Sequence, residues 1–366
     1  MKTKSILTIS LILAMSNSAN ASVEEWKSML NKNFTNAKEW IHSKLDKKEK
    51  SAIVICMASE KKEWIEAILP KFNKEYPNIS TEVIYKGSGE MMKRLNDGNL
   101  DKCSIESPAS SLSGLLYDKF DKVDSTPLVY SPLVMVTFAD KAKIIDENLT
   151  KPYNLSNVEQ VANKKWEEIS PKYKKFGKMR VAFTDPEKSN SGFVTLLSKA
   201  YTYFDSYDPL TEKQLNNPEF QKYMNNFWKA TNHNEKSTGK LTRTFKTNRL
   251  KYTTIFTYEN MVPDLLEKYS NNIKVTYPEK SVLNDHPAFI VAKDKKIQNA
   301  SKTFINFLLS KEIQQIATDK FAFRPSNPSV AIGKALSFAT IDIGIVDLPT
   351  TADVPLTILD IAKGKW

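Results

Sequence analysis

The chain is poor in the residues that usually build metal centres and nucleophilic sites. Among 366 residues there are two cysteines, Cys56 and Cys103, and three histidines, His42, His233 and His286. Two cysteines are too few for a metal cluster, and the histidines show no ligand spacing, so each reads as a surface or loop residue. No H-E-x-x-H or G-x-S-x-G motif occurs, and Gly87-Ser88-Gly89 is too tightly spaced for a nucleophile elbow. That tripeptide also lacks the third glycine of a dinucleotide fingerprint. Gly239-Lys240 is followed by Leu241, which excludes a P-loop. A Ser–His–Asp set could be drawn from His286 and Asp285, but any chain of this size permits such a choice. Enzymatic function is therefore not expected, and no cofactor is implied. Internal repeats, low-complexity tracts and long Gly/Ser linkers are also absent.

Long apolar runs are missing as well. The first one, Ile6 to Met15, follows Lys2 and Lys4 and precedes Ala19-Asn20-Ala21. That is the pattern of a secretory signal peptide over residues 1–21, too short to anchor in a bilayer. No cysteine follows to carry a lipid. The expected location is the periplasm or the extracellular space, after cleavage near Ala21. Net charge is +11, or +9 once Lys2 and Lys4 leave. The excess is spread along the chain, which favours encounter with anions in general. No basic stripe is interleaved with aromatics, so nucleic acid is not an expected partner.

Residues 22–50 read as an amphipathic helical extension. Ser22 and Glu25 form a capping box, and Trp26, Met29, Leu30, Phe34, Trp40 and Ile41 recur near helical spacing. Its two tryptophans need a surface to cover, either the body of the protein or a protein partner.

From Ser51 the pattern becomes α/β. Strands are expected at 53–57, 81–85 and 102–106, with a helix between the first two that Pro70 should bend or end early. Leu128–Phe138 is a long apolar strand interrupted by Ser131-Pro132. A second α/β unit starts at Met179, with helices after Asn190, over 216–230 and after Ser237, and a strand at 252–257. Ala288–Ala292 is the natural return strand, and helices follow over 297–319. The alternation implies parallel sheets with right-handed crossovers. Two crossings imply two discontinuous lobes joined by a two-strand hinge: a first lobe at 51–130 and 285–327, a second at 131–284, and a tail at 328–366. Cys56 and Cys103 fall in strands that should be neighbours, so they read equally as one disulfide or as two buried thiols.

Four places share a design in which a short apolar strand enters a polar loop that opens a helix. They are Val54–Ser59, Val83–Gly89, Val181–Gly192 and Thr253–Glu259. Each puts hydroxyls and free backbone N–H groups at a helix N-terminus, where an anion or polar ligand is readily held. In parallel sheets, ligands sit beyond the carboxyl ends of the strands, where Ser59, Ser88 and Ser107 fall. The candidate ligand-binding residues are Ser59, Glu60, Gly87, Ser88, Ser107, Ser189, Asn190, Ser191, Ser237, Thr238, Tyr258 and Glu259. For each serine the competing reading is helix capping alone. For Glu259 it is a favourable charge in a first helical turn.

The order of these motifs resembles the type 2 periplasmic solute-binding proteins, within the extracellular solute-binding family that includes molybdate binders. The stretches that carry the resemblance are Ala58-Ser59-Glu60, Tyr85–Gly89 with Met92, Ser107–Ser110, Ser189–Gly192, Lys236–Gly239, Tyr258-Glu259 and Arg324-Pro325. Together they span roughly 51–328. The chain is most similar to a branch often found alongside von Willebrand A domains, although too few residues follow 328 for such a domain. The resemblance implies a ligand in the interlobe cleft, with Ser59 and Ser88 on the first and second contact loops. It also implies delivery to the membrane permease of an ABC-type transporter.

The hydroxyls suit an oxyanion. Glu60 and Glu259 suit a zwitterion, an ammonium group or a metal complex equally well, because a buried carboxylate beside a dianion is costly unless protonated or paired. Lys86 and Arg324 are candidates to neutralise them. The alternative function is an envelope protein that uses this fold to bind a protein partner or sense a ligand without transport.

Overall fold

The computed structural model describes residues 50–91, 102–112, 125–340, 342–347 and 353–365. The expected signal peptide and most of the 22–50 extension lie outside the described residues. Among the described residues, no helix is long and apolar enough to cross a membrane.

The unit from Ser51 onward is built on two sheets. The first has the order β2-β1-β3-β11-β4, with β1 Ser51–Ala58, β2 Ile79–Lys86, β3 Ile105–Ser107, β4 Ser125–Pro127 and β11 Pro287–Ile290. β2 and β3 run parallel to β1, whereas β11 is antiparallel to both β3 and β4. The second sheet contains β5 Val129–Phe138, β6 Val181–Thr184, β7 Asn232–Glu235, β8 Thr254–Tyr258, β9 Ile273–Thr276 and β10 Leu283–Asn284. A short β12, Arg324–Pro325, pairs with the first residues of β5. The chain thus passes from the first sheet to the second between β4 and β5. It returns between β10, which pairs with β5, and β11. Two discontinuous α/β lobes result, joined by these two crossings and by the later return of the tail.

Helix α1, Lys62–Glu75, packs Trp64, Ile65, Ile68 and Phe72 onto the first sheet. It continues five residues past Pro70, where an early end was an alternative expectation. Pro70 lies on the exposed face, where the hydrogen bond it cannot donate costs least, while Ile68 and Phe72 hold the last turns down. The third strand begins three residues later than the sequence pattern suggests, at Ile105. Cys103 lies just before it and is disulfide-bonded to Cys56 of β1.

In the second lobe, α2 is Ala139–Asp146, α3 Asn190–Phe204, α4 Pro218–Ala230, α5 Thr238–Thr247 and α6 Val262–Tyr269. After β11 the first lobe is completed by α7, Lys295–Leu309, and α8, Lys311–Phe321. The tail then returns to the second lobe. Its helix α9, Asp353–Ala362, buries Ile358 and Ile361 in the same core as Phe220 and Phe227 of α4. Asn225 Nδ2 donates to Ala362 O at 3.1 Å. The tail's apolar face is therefore spent on the body.

A buried ion pair spans the hinge. Arg324 grips Glu259 with two charge-assisted hydrogen bonds, Nε to Oε2 and Nη2 to Oε1, both 2.8 Å. Tyr277 Oη donates to Glu259 Oε1 at 2.5 Å. The Glu259 side chain is wholly buried, and that of Arg324 is 14 % exposed. Removing one partner strands the other charge, at a cost of about 3–5 kcal/mol. Arg324→Met should lose that much in denaturant unfolding, and Arg324→Met with Glu259→Leu should regain most of it. A single-variant loss below about 1 kcal/mol would contradict this role.

Candidate functional site

β1, β2 and β3 run parallel, so Ser59, Gly87–Gly89 and Ser107–Ser110 leave the same edge of the first sheet. β6 likewise runs parallel to β7 and β8, so Ser189–Ser191, Ser237-Thr238 and Tyr258-Glu259 leave one edge of the second. The two edges face each other and touch. Gly89 N donates to Lys188 O at 3.1 Å, and Asn260 Nδ2 donates to Glu60 O at 3.2 Å. A Cβ on Gly87 would stand 2.7 Å from Lys188 O, and one on Gly89 would overlap the Glu187 and Lys188 backbone. Only glycine lets these two loops come this close.

On the second lobe the hydroxyls form a network. Ser191 Oγ lies 2.8 Å from Thr184 Oγ1 and accepts from Thr238 Oγ1 at 2.8 Å. Ser189 Oγ is 3.3 Å from Thr238 Oγ1 and caps no backbone group of α3, although Ser189 occupies the N-cap position. Asn190 Nδ2 donates to Tyr258 Oη at 2.9 Å and to Asn284 Oδ1 at 2.8 Å. Gly192 packs the start of α3 against Thr184, where a Cβ would overlap the carbonyl. Ser237 does cap its helix, accepting from Lys240 N at 3.3 Å.

On the first lobe, Ser88 Oγ accepts from Ala109 N at 3.1 Å, which joins two of the three loops. Ser107 turns inward, and its hydroxyl donates to Pro287 O at 2.6 Å. The Ser59 hydroxyl is buried and faces Gly239 across the cleft. It lies near enough to Glu60 to ease its charge, yet at no standard hydrogen-bond geometry. Lys86 pairs with Glu90, and Glu259 points away to Arg324, so neither is aimed at Glu60.

Burial pushes the Glu60 carboxyl above its ordinary range, with Lys61 opposing the shift. Burial lowers the Lys61 ammonium to about 8, with Glu60 and Asp285 opposing it. Lys61 Nζ donates to Ser107 O at 2.9 Å and to Pro108 O at 2.8 Å, which holds the third loop under the cleft. The Tyr258 hydroxyl is held in its neutral form, first by burial and then by Glu60. His286 is fully buried rather than at the surface. It meets Tyr258 and Phe323 edge-on, and burial keeps its ring neutral. Lys61, Asn260 and Asn284 carried no local sequence signal. Each acts through a partner more than forty residues away.

Beside this network the lobes border an open cleft of about 740 Å³; of the expected ligand-binding residues Ser59, Glu60 and Ser237 line it, whereas Gly87, Ser88, Ser107, Ser189, Asn190, Ser191, Thr238, Tyr258 and Glu259 do not. Such a volume suits a small organic molecule. Five basic side chains, Lys62, Lys240, Arg243, Lys246 and Lys320, line its walls with three acids, Glu60, Glu63 and Asp264. Gly89→Val should hold the lobes apart without disturbing either core. Small-angle scattering should then give a larger radius of gyration than wild type at an unchanged melting temperature. An identical radius would show that the close approach does not govern closure.

The same bilobed fold occurs in solved structures. The periplasmic binding protein P5PA superposes with a TM-score of 0.64 at 14% identity, covering 86% of this chain and 99% of its own. The sulfate-binding protein SubI from Mycobacterium tuberculosis H37Rv gives 0.58 at 15% identity, covering 81% and 94%. A periplasmic thiamin binding protein gives 0.60 at 16% identity, covering 87% and 97%. No curated protein sequence is significantly similar. The family model for bacterial extracellular solute-binding proteins matches residues 53–321, most of the chain, and the protein belongs to that family.

Proposed function

We propose that this protein is an exported receptor that captures a small polar ligand bearing an oxyanion in the interlobe cleft and presents it to an ABC-type permease. The observation that carries the reading is the meeting of the Ser237 helix start with Ser59 and Glu60 of the other lobe around one cleft, with Thr238 tying Ser189 and Ser191 to that helix start. Helix N-termini and hydroxyls stabilise negative charge without a bound counter-ion. The hinge lies near residues 130 and 285, where the chain crosses between sheets. Related folds hold sulfate in one protein and thiamin in another, so the fold leaves ligand charge to the side chains.

Glu60 makes the charge testable. An anion beside it requires the neutral carboxylic acid, which its burial already favours. Anion affinity should rise as pH falls through the raised Glu60 value, because binding takes up a proton. Glu60→Gln should bind the anion well and flatten that dependence. A cationic ligand reverses both signs: its affinity falls on acidification, and Glu60→Gln abolishes it.

A thermal-shift panel of molybdate, tungstate, sulfate, phosphate, organic phosphates, amino acids, polyamines and divalent metals supplies the ligand. A ligand at about one hundred times its dissociation constant adds roughly 2.7 kcal/mol. Ser191→Ala should weaken a genuine hit by about 1–3 kcal/mol. A flat panel, with carried-over ligand excluded by native mass spectrometry, would favour binding of a protein partner instead.

A further inference from the structure

The segment 163–180 folds back on itself far from any role in the network above. Lys165 and Lys178 bridge antiparallel, Trp166 N donates to Gly177 O at 2.9 Å, and Met179 N donates to Lys164 O at 2.8 Å. Trp166, Ile169 and Met179 anchor this hairpin in the second-lobe core. It carries six exposed lysines, Lys164, Lys165, Lys172, Lys174, Lys175 and Lys178, and exposed Arg180, against two acids, Glu167 and Glu168. Among the described residues, no ion-pair partner meets Lys164, Lys172, Lys174, Lys175 or Lys178, and Lys165 has a 3.6 Å pair with Glu167. Like charges directly opposite across a strand pair are destabilising, and Lys165 stands opposite Lys178. Phe176 sits among these lysines with 45 % of its surface exposed. Lys141 is stacked over its ring at 3.4 Å, and Tyr173 packs beside it.

We propose that this lysine-and-phenylalanine hairpin is a docking surface for an anionic lipid bilayer. Two features favour a membrane over an acidic protein. Six of the seven cations are lysines, which are compact point charges, where shaped recognition of carboxylates would favour arginine forks. The exposed aromatic among them fits the pattern of interfacial segments, in which lysines meet headgroups and an aromatic enters the boundary. Each lysine near an anionic surface adds attraction that falls off within a Debye length. Such contact would keep the loaded receptor close to the membrane that holds its permease.

The test is co-sedimentation of the exported protein with vesicles of phosphatidylcholine alone or of phosphatidylcholine mixed with phosphatidylglycerol. Binding is expected only to the mixed vesicles, and it should be lost as salt is raised. Lys172→Glu with Lys174→Glu and Lys175→Glu should weaken it by at least about a hundredfold. Phe176→Ala should weaken it further at unchanged salt dependence. A control triple, Lys295→Glu with Lys296→Glu and Lys302→Glu, carries the same charge change elsewhere and should bind within a few-fold of wild type. Equal loss in both triples would reduce the effect to net charge and overturn the proposal. So would the absence of vesicle binding by wild type. Retention on polyglutamate with no vesicle binding would reassign the hairpin to an acidic protein. Melting temperatures of all variants identify any that fail to fold.

Discussion

The loop edge of the second lobe depends on the side-chain amide of Asn190. One NH₂ group reaches both the Tyr258 hydroxyl at the end of β8 and the Asn284 carbonyl of β10. Asn284 in turn donates to Ser131 O of β5 at 3.1 Å. The start of α3, the end of a central strand and the hinge strand are thereby locked in one geometry. The network is fully buried, where unmade hydrogen bonds are costly, so each member specifies the others' positions. Ser189 and Ser191 flank Asn190 and inherit that position. The hydroxyls are pre-arranged by the fold.

Charge is managed by separation. Glu259 and Glu60 both follow a strand end, yet their environments differ. Glu259 is met by the Arg324 fork and Tyr277, whereas Glu60 is buried beside neutral hydroxyls with Lys61 as its nearest opposing charge. The Lys61 ammonium itself turns to two backbone carbonyls. One carboxyl thus serves the hinge, and the other lines the cleft. The lobes touch through close main-chain approaches at Gly87 and Gly89, which carry no charge of their own.

The strand-loop-helix units were legible in the sequence because each is local. A run such as Val181–Thr184 followed by Ser189–Gly192 contains its own strand, turn and helix start. Position along the chain also set which sheet edge each loop would leave, since parallel strands send their carboxyl ends the same way. What the local pattern could not convey was the destination of individual polar atoms. Ser107 and Ser88 occupy equivalent loops, yet one hydroxyl turns to Pro287 and the other to Ala109. The partner of Glu259 lies 65 residues away. His286 looked like an ordinary loop residue, but the loop runs through the interior. Pro70 permitted a continuous helix because its exposed placement was set by the residues on either side. The tail offered a moderately apolar stretch, and only packing on α4 shows that its face is occupied.

The central claim is that two facing sheet edges close on a ligand about the crossings near residues 130 and 285. The most direct measurement is a pulsed spin-label distance between exposed Glu82 on the first lobe and exposed Lys222 on the second, each replaced by a labelled cysteine. With the ligand found by thermal shift absent, the distribution should include longer separations. With that ligand present it should collapse to a single short one, and Ser191→Ala should require more ligand for the same collapse. A distribution that is unchanged at saturating ligand would contradict a closing cleft.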